Sequence, residues 1–259
     1  MTLTANDLYL RLGGRPVLHG VSLTAQTGQI TAIIGPNGSG KTSLMRLLTG
    51  ETAPDAGRVV LNGQDIATRR ASALARIRAV LPQSSPLSFP FTAAEIVRIG
   101  AETTGTATSA GIAAALARVG LPDHGPRLYQ QLSGGEQQRV QLARVLSQVR
   151  DPGGRWLFLD EPVSSLDIAH QLMVMRLARD FATAGGGVVM VLHDLNLTAM
   201  CADQVVLMQQ GRVLAAGGAG DVLTSAHLSA AYGCDLRVGV TPDPPVFVLP
   251  QGVQGVPSL

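Results

Sequence analysis

The chain has 259 residues, of which 46% are hydrophobic and only 15% charged, with a formal net charge of +2. That length suits one large domain, or a core with a smaller inserted unit, and a charge balance so near neutral argues against nucleic acid as a partner. The apolar runs are far shorter than the roughly 20 residues a membrane span needs, no signal peptide is legible at Met1 to Arg11, and Cys201 and Cys234 suggest neither a disulfide framework nor a ligand pair.

In chain order, Leu3 to Leu12 alternates loosely and reads as a strand, followed by a Gly13-Gly14 turn and a second strand around Val17 to Leu23. Gln29 to Ile34 is an apolar run that stops at a glycine-rich loop. Ser43 to Leu48 then carries helical periodicity. A strand is expected at Gly57 to Leu61, a turn at Asn62-Gly63, a helix at Ala71 to Arg76 and a strand at Ala79 to Leu81. Composition shifts at Ser84 to Pro90. Helices at Ala93 to Ile99 and Ile112 to Val119 follow, separated by a Thr/Gly/Ala-rich loop from Thr103 to Ser109. The core resumes with a helix at Gly135 to Leu146, strands at Trp156 to Leu159 and Val188 to Leu192, helices at Ala169 to Ala182 and Leu195 to Cys201, and a hairpin formed by Val205 to Met208 and Arg212 to Ala216. Apolar strands alternating with helices predict an α/β fold with a largely parallel sheet covered on both faces. The expected organisation is a catalytic core from 1–90 and 132–236, a helical subdomain inserted at 91–131, and a tail from 237–259.

Gly35-Pro36-Asn37-Gly38-Ser39-Gly40-Lys41-Thr42 fits the phosphate-binding pattern G-x-x-x-x-G-K-[ST], with the required strand before it and a helix opening at Ser43 after it. The glycines let successive N–H groups turn inward on an anion, and the helix adds its unpaired donors. Lys41 can reach the β- and γ-phosphates of a nucleotide, and Thr42 can place a hydroxyl on Mg²⁺.

Asp160-Glu161 ends the buried strand Trp156 to Leu159, where α/β sheets bind ligands. Asp160 is the expected partner of the metal's shell, and Glu161 the candidate to take a proton from attacking water. His193 ends a second buried strand and is expected at the same sheet edge, in reach of a γ-phosphate. Gln83 follows the strand Ala79 to Leu81. Its amide can ligate Mg²⁺ or hold water without adding charge. His19, His124, His170 and His227 have no such placement and read as ordinary.

A second glycine-rich turn, Leu132-Ser133-Gly134-Gly135-Glu136-Gln137-Gln138-Arg139, opens another helix. Ser133 and Glu136 have capping-box spacing, so the turn can be purely structural. It can equally form a second phosphate clamp, which a head-to-tail pair of chains would bring onto nucleotide held by the other copy.

The order Lys41-Thr42, Gln83, 132–139, Asp160-Glu161, Ser165-Leu166-Asp167 and His193 resembles the ATP-binding subunits of ABC transporters over nearly the whole chain. The resemblance implies a P-loop NTPase core with an N-terminal antiparallel β-subdomain and an inserted helical subdomain. It implies two ATPs with Mg²⁺, sandwiched between two identical copies, each held by the phosphate loop of one copy and Ser133, Gly134 and Gly135 of the other. Asp167 would couple the two sites. Glu161 would be the general base, with His193 on the γ-phosphate. The helical subdomain would receive a cytoplasmic helix of a permease, with two permease subunits, at the cytoplasmic face of the inner membrane. The stretches 81–100, 192–197 and 228–238 are similar to importers for iron chelates, haem and vitamin B12, among which haem importers are the most similar. A periplasmic haem-binding protein would then act indirectly, and this chain would not touch haem. A siderophore or cobalamin importer, or a soluble ATPase outside transport, stays open. The family places an aromatic ring on adenine where this chain has Leu12, so Leu12, Arg11 or Arg15 would cover the base instead.

Overall fold

The computed structural model describes residues 1–83, 89–103, 105, 107–149 and 151–241. Among the described residues, ten strands run in chain order as β1 Thr2–Leu12, β2 Arg15–Gln26, β3 Ile30–Ile34, β4 Ala56–Leu61, β5 Gln64–Asp65, β6 Arg78–Leu81, β7 Trp156–Asp160, β8 Gly187–Val191, β9 Gln204–Gln209 and β10 Arg212–Gly218. The helices are α1 Lys41–Thr49, α2 Ala71–Ile77, α3 Ala93–Glu102, α4 Ser109–Arg118, α5 Gly134–Gln148, α6 Ile168–Thr183, α7 Leu195–Cys201, α8 Ala219–Val222 and α9 Ser225–Tyr232.

Two sheets form. An antiparallel sheet has the order β2-β1-β4-β5, and a six-stranded sheet has the order β10-β9-β3-β8-β7-β6. In the larger sheet every pairing is parallel except β9 with β10. All five residues of β3, β7 and β8 are buried. These central strands are covered on both faces, which is why they read as continuous apolar runs.

Alternate residues of each central strand serve opposite faces. Ile33, Trp156, Phe158, Val189 and Val191 pack with α1 and the antiparallel sheet, through residues such as Leu44, Leu47, Leu3 and Leu8. Ile34, Leu157, Leu159, Val188 and Met190 pack with α5, α6 and α7 and, through them, with the helices of the middle block. Each fully buried aliphatic side chain contributes about 1.5–3 kcal/mol, so this double cover fixes the strand ends rigidly. Asn62 ties the two sheets together: its Nδ2 donates to the Gly154 carbonyl at 2.8 Å, and its Oδ1 accepts from Trp156 Nε1 at 3.0 Å.

The loose alternation of β1 has a local cause. Leu3 and Ala5 face inward, then Leu8 and Leu10, with a register shift between Ala5 and Leu8 where Asp7 has φ 51. The bulge moves the inward phase by one residue.

Within residues 91–131 lie α3, α4 and a short 3₁₀ turn at Tyr129–Gln131, with no named strand among the described residues. Thr92 and Glu95 form a capping box at the start of α3. A Cβ added at Gly100 would stand 2.1 Å from the Arg144 carbonyl oxygen, so α3 and α5 cross at backbone contact there. α4 begins at Ser109 behind its Thr108 cap, ahead of the expected start at Ile112, and residues 104 and 106 of the expected loop lie outside the described residues. Of the composition shift at Ser84 to Pro90 only Phe89 and Pro90 fall within the described residues, and of the tail only residues 237–241. The fold is the expected P-loop NTPase core with an antiparallel β-subdomain and an inserted helical unit. No helix among the described residues is long and apolar enough to cross a membrane.

Candidate functional site

The glycine-rich loop leaves β3 at Ile34 and enters α1 at Lys41. Gly35 sits at φ +144, and a Cβ there would lie 2.2 Å from the Met208 carbonyl oxygen on β9, so only glycine fits. Gly40 caps α1 in a left-handed conformation with no side-chain cap, which leaves the first-turn N–H groups without side-chain partners. Such donors, with the helix dipole behind them, favour an anion. The loop's underside is tethered as well: Gly211 N–H donates to the Ser39 carbonyl at 3.0 Å.

Lys41 folds back on the loop. Its Nζ donates to the carbonyls of Gly35 at 2.8 Å and Pro36 at 3.0 Å. Burial lowers its pKa, and the charges of Glu161 and Asp160 oppose that shift. A cleft of about 600 Å³ opens above the loop, lined by Asn37, Gly38, Gly40, Lys41, Thr42 and Ser43 together with Val17, Gln83, Glu161 and His193.

Strand order explains the gathering. The parallel strands β6, β7, β8 and β3 are neighbours, and Gln83, Asp160-Glu161, His193 and the glycine-rich loop follow or end them on one edge of the sheet. Asp160 is 4% exposed, and its Oδ1 has no hydrogen-bond partner among the described residues. Burial raises its pKa, the neighbouring Glu161 adds to this, and a hydrogen bond from the Thr42 hydroxyl works the other way. An orphaned, buried carboxylate oxygen beside a hydroxyl fits the protein's share of a Mg²⁺ shell that phosphate oxygens would complete. No cluster of three or more His, Cys, Asp or Glu among the described residues forms a separate metal cage.

Glu161 follows β7 at φ 52, a left-handed conformation that a glutamate holds only under constraint. Four neighbours supply it. Its N–H donates to the Val191 carbonyl at 3.2 Å, its carbonyl accepts from Gln138 Nε2 at 3.0 Å and from the Ser164 hydroxyl at 3.3 Å, and its Oε1 lies 2.6 Å from His193 Nε2. The carboxylate is thereby turned over the cleft rather than along the strand.

The other expected site residues lie elsewhere in the chain. Leu12 and Arg15 face each other across the β1–β2 hairpin tip, are exposed, and do not line the cleft. Val17, half-buried on β2, lines it instead. Nothing in the sequence separated Val17 from an ordinary strand residue. Pro36 and Ser39 shape the loop beneath the cleft, and the Ser39 hydroxyl is buried without a partner among the described residues.

Ser133, Gly134 and Gly135 are also outside the cleft. Ser133 caps α5, with its Oγ accepting from Glu136 N–H at 3.3 Å while Glu136 Oε2 accepts from Ser133 N–H at 2.7 Å. His124 Nε2 lies 3.0 Å from Glu136 Oε1, a role its sequence position did not signal. Gly134 faces open space, whereas a Cβ at Gly135 would meet the Ser165 carbonyl at 3.2 Å. Asp167 caps α6, accepting from His170 N–H at 2.9 Å, and its side chain is 67% exposed.

Fold and loop together define a P-loop nucleotide-binding protein. The profile of the ABC transporter family matches residues 18–164, and the chain belongs to that family. Among curated relatives, the hemin import ATP-binding protein HmuV of Rhizobium meliloti (strain 1021) is 55% identical over 257 residues, covering 96% of this chain and 98% of its own. HmuV of Jannaschia sp. (strain CCS1) is 56% identical, covering 93% and 90%. Among solved structures, a bacterial Atm1-family ABC exporter with ATP bound matches with a TM-score of 0.76 at 29% identity, covering 86% of this chain and 39% of the exporter chain. An ATP-binding subunit of an ABC transporter matches with a TM-score of 0.77 at 23% identity, covering 91% and 95%, which speaks to fold alone.

Proposed function

We propose that this chain is the ATP-hydrolysing subunit of a haem importer, working as two identical copies at the cytoplasmic face of the inner membrane. The observation that carries the reading is the single sheet edge on which the phosphate loop, the orphaned Asp160 and the Glu161–His193 pair meet, while Ser133 and Gly134 are exposed and do not line the cleft. The names of relatives that align along almost the full chain support haem as the cargo.

In this reading the triphosphate draws Lys41 off its own loop carbonyls and takes the α1 N–H groups. Thr42 and Asp160 hold Mg²⁺, with Gln83 beside them. When bound, the ion neutralises charge developing between the β- and γ-phosphates. Glu161 accepts a proton from water aimed at the γ-phosphorus, and His193 fixes the carboxylate and touches the γ-phosphate. Ser133, Gly134 and Gly135 of the second copy complete the chamber, and Asp167 communicates between the two chambers. Catalysis here is positioning and charge stabilisation.

The unit 91–131 would receive a helix of the permease, and the core at 1–90 and 132–236 would carry the chemistry. Two permease subunits and a periplasmic haem-binding protein complete the system, and haem itself does not touch this chain. The decisive experiment reconstitutes the chain with its permease in proteoliposomes and follows ATP-driven uptake. Haem uptake that Glu161→Gln abolishes is the expected result. Uptake of a siderophore or cobalamin instead, or ATPase activity indifferent to the permease, would overturn it.

A further inference from the structure

A direct physical link joins the second glycine-rich turn to the base. Gln138 stands in the second turn of α5, just beyond the Ser133–Glu136 cap, and its Nε2 donates to the Glu161 carbonyl at 3.0 Å. The loop from Glu161 to Asp167 is bracketed around this bond. From α6, Gln171 Nε2 donates to the Leu166 carbonyl at 3.0 Å, and on the α5 side Gly135 leaves just enough room for the Ser165 carbonyl. The peptide that carries the strained Glu161 is therefore held from above by the helix that carries the clamp.

The other end of the Gln138 amide argues that this bond is not there for stability. Its Oε1 is buried and has no partner among the described residues. An unmet buried acceptor is a net cost, and a methionine of the same shape would fill the space without one. What the amide supplies that methionine cannot is the single N–H donor aimed at Glu161.

We infer that Gln138 is a positioning residue for Glu161, and that through it the clamp helix of one chain sets the pose of the base in the same chain. This rests on the proposed reading of Glu161 as base and Ser133 as clamp. When Ser133 engages nucleotide on the second copy, any tilt of the first turns of α5 is passed to the Glu161 peptide through one hydrogen bond. Each copy's base thereby responds to the fuel in the other chamber.

The test uses the purified full-length chain at concentrations where it pairs. Gln138→Met should lower kcat at least about tenfold with KM for ATP changed by less than about twofold, with Tm unchanged or raised. In a Glu161→Gln background, Gln138→Met should leave trapping of the ATP-bound pair intact. Gln138→Glu supplies a second readout, since its protonated carboxyl can donate to the Glu161 carbonyl while the carboxylate repels it. Its kcat relative to the parent should rise as pH falls from about 8 to about 6. Wild-type turnover in Gln138→Met beside an inactive Glu161→Gln overturns the inference and leaves the base standing. Loss of the trapped pair would reassign Gln138 to the clamp, and a flat Gln138→Glu pH ratio would remove the donor argument even if the methionine variant failed to fold. Full turnover in Glu161→Gln would instead bring down the underlying reading.

Discussion

Glu161 concentrates the site's constraints in one residue. Its backbone is left-handed, its carbonyl is claimed by α5 and its carboxylate by His193. Replacing it with glutamine keeps the shape and removes the proposed proton acceptor. We expect kcat to fall by about 10²–10⁴ while ATP stays bound, which turnover and nucleotide-retention assays on the same sample would resolve. Lys41→Ala acts at a different stage. It deletes a charge-assisted contact of about 1.5–3 kcal/mol, so equilibrium titration should show ATP affinity weakened roughly tenfold to a hundredfold; unaltered affinity would mean the lysine never leaves its loop carbonyls. At this scale the sequence was most legible where chemistry dictates spacing. Gly35, Gly40, Lys41 and Thr42 can be read in order because each does one geometric job. The wall of the cleft obeys no such rule. Val17 looks like any alternating strand residue, and the exposed positions Leu12 and Arg15 stood nearer to the expected register.

The helices carry two further expectations. Hydrogen bonds from Ser133, first through its backbone and then its hydroxyl, hold the Glu136 carboxyl at a pKa of about 2, well below its usual 4.5, with His124 and Arg127 adding to this. A carboxyl depressed in the folded state stabilises it above the unfolded pKa and loses that contribution as pH falls through the folded one. The stability advantage of the parent over Glu136→Gln should therefore be full above about pH 4.5 and fade toward pH 2, as chemical denaturation at stepped pH would show. Because the group is only half-buried and reached by solvent, the effect will be modest. At the α3–α5 crossing the demand is steric. Gly100→Ala forces a methyl against the Arg144 carbonyl and should cost about 1–3 kcal/mol or more, seen as a lower denaturation midpoint. Strands β3, β7 and β8 were plain in the sequence because burial on both faces leaves apolar residues at every position but Thr31 and the terminal Asp160. The two-residue β5 is too short to show a period. The run Ser225–Tyr232 that forms α9 buries only Leu228 and Ala231, so no apolar stripe announced it.

For the molecule as a whole, the governing fact is that the exposed Ser133 turn does not line the cleft. If two copies share each chamber, specific ATPase activity should rise with protein concentration and then plateau. Ser133→Arg should preserve the unfolding midpoint while abolishing turnover; a variant that stayed active would show that the turn is only a helix cap. The α/β architecture was legible from the alternation of buried runs and helices. The proposed sharing of each chamber by two copies could be raised from the 132–139 turn but not decided there, because Ser133 and Glu136 satisfy each other within one chain.

The grip of Lys41 on the Gly35 and Pro36 carbonyls also bears on how spent fuel departs. Inorganic phosphate lingering at the loop competes with two oxygens that are covalently tethered beside the ammonium group. A tethered competitor acts at an effective concentration in the millimolar range or higher, so free phosphate in solution gains little hold. If Lys41 meets the γ-phosphate as proposed, accumulated phosphate should slow turnover far less than accumulated ADP.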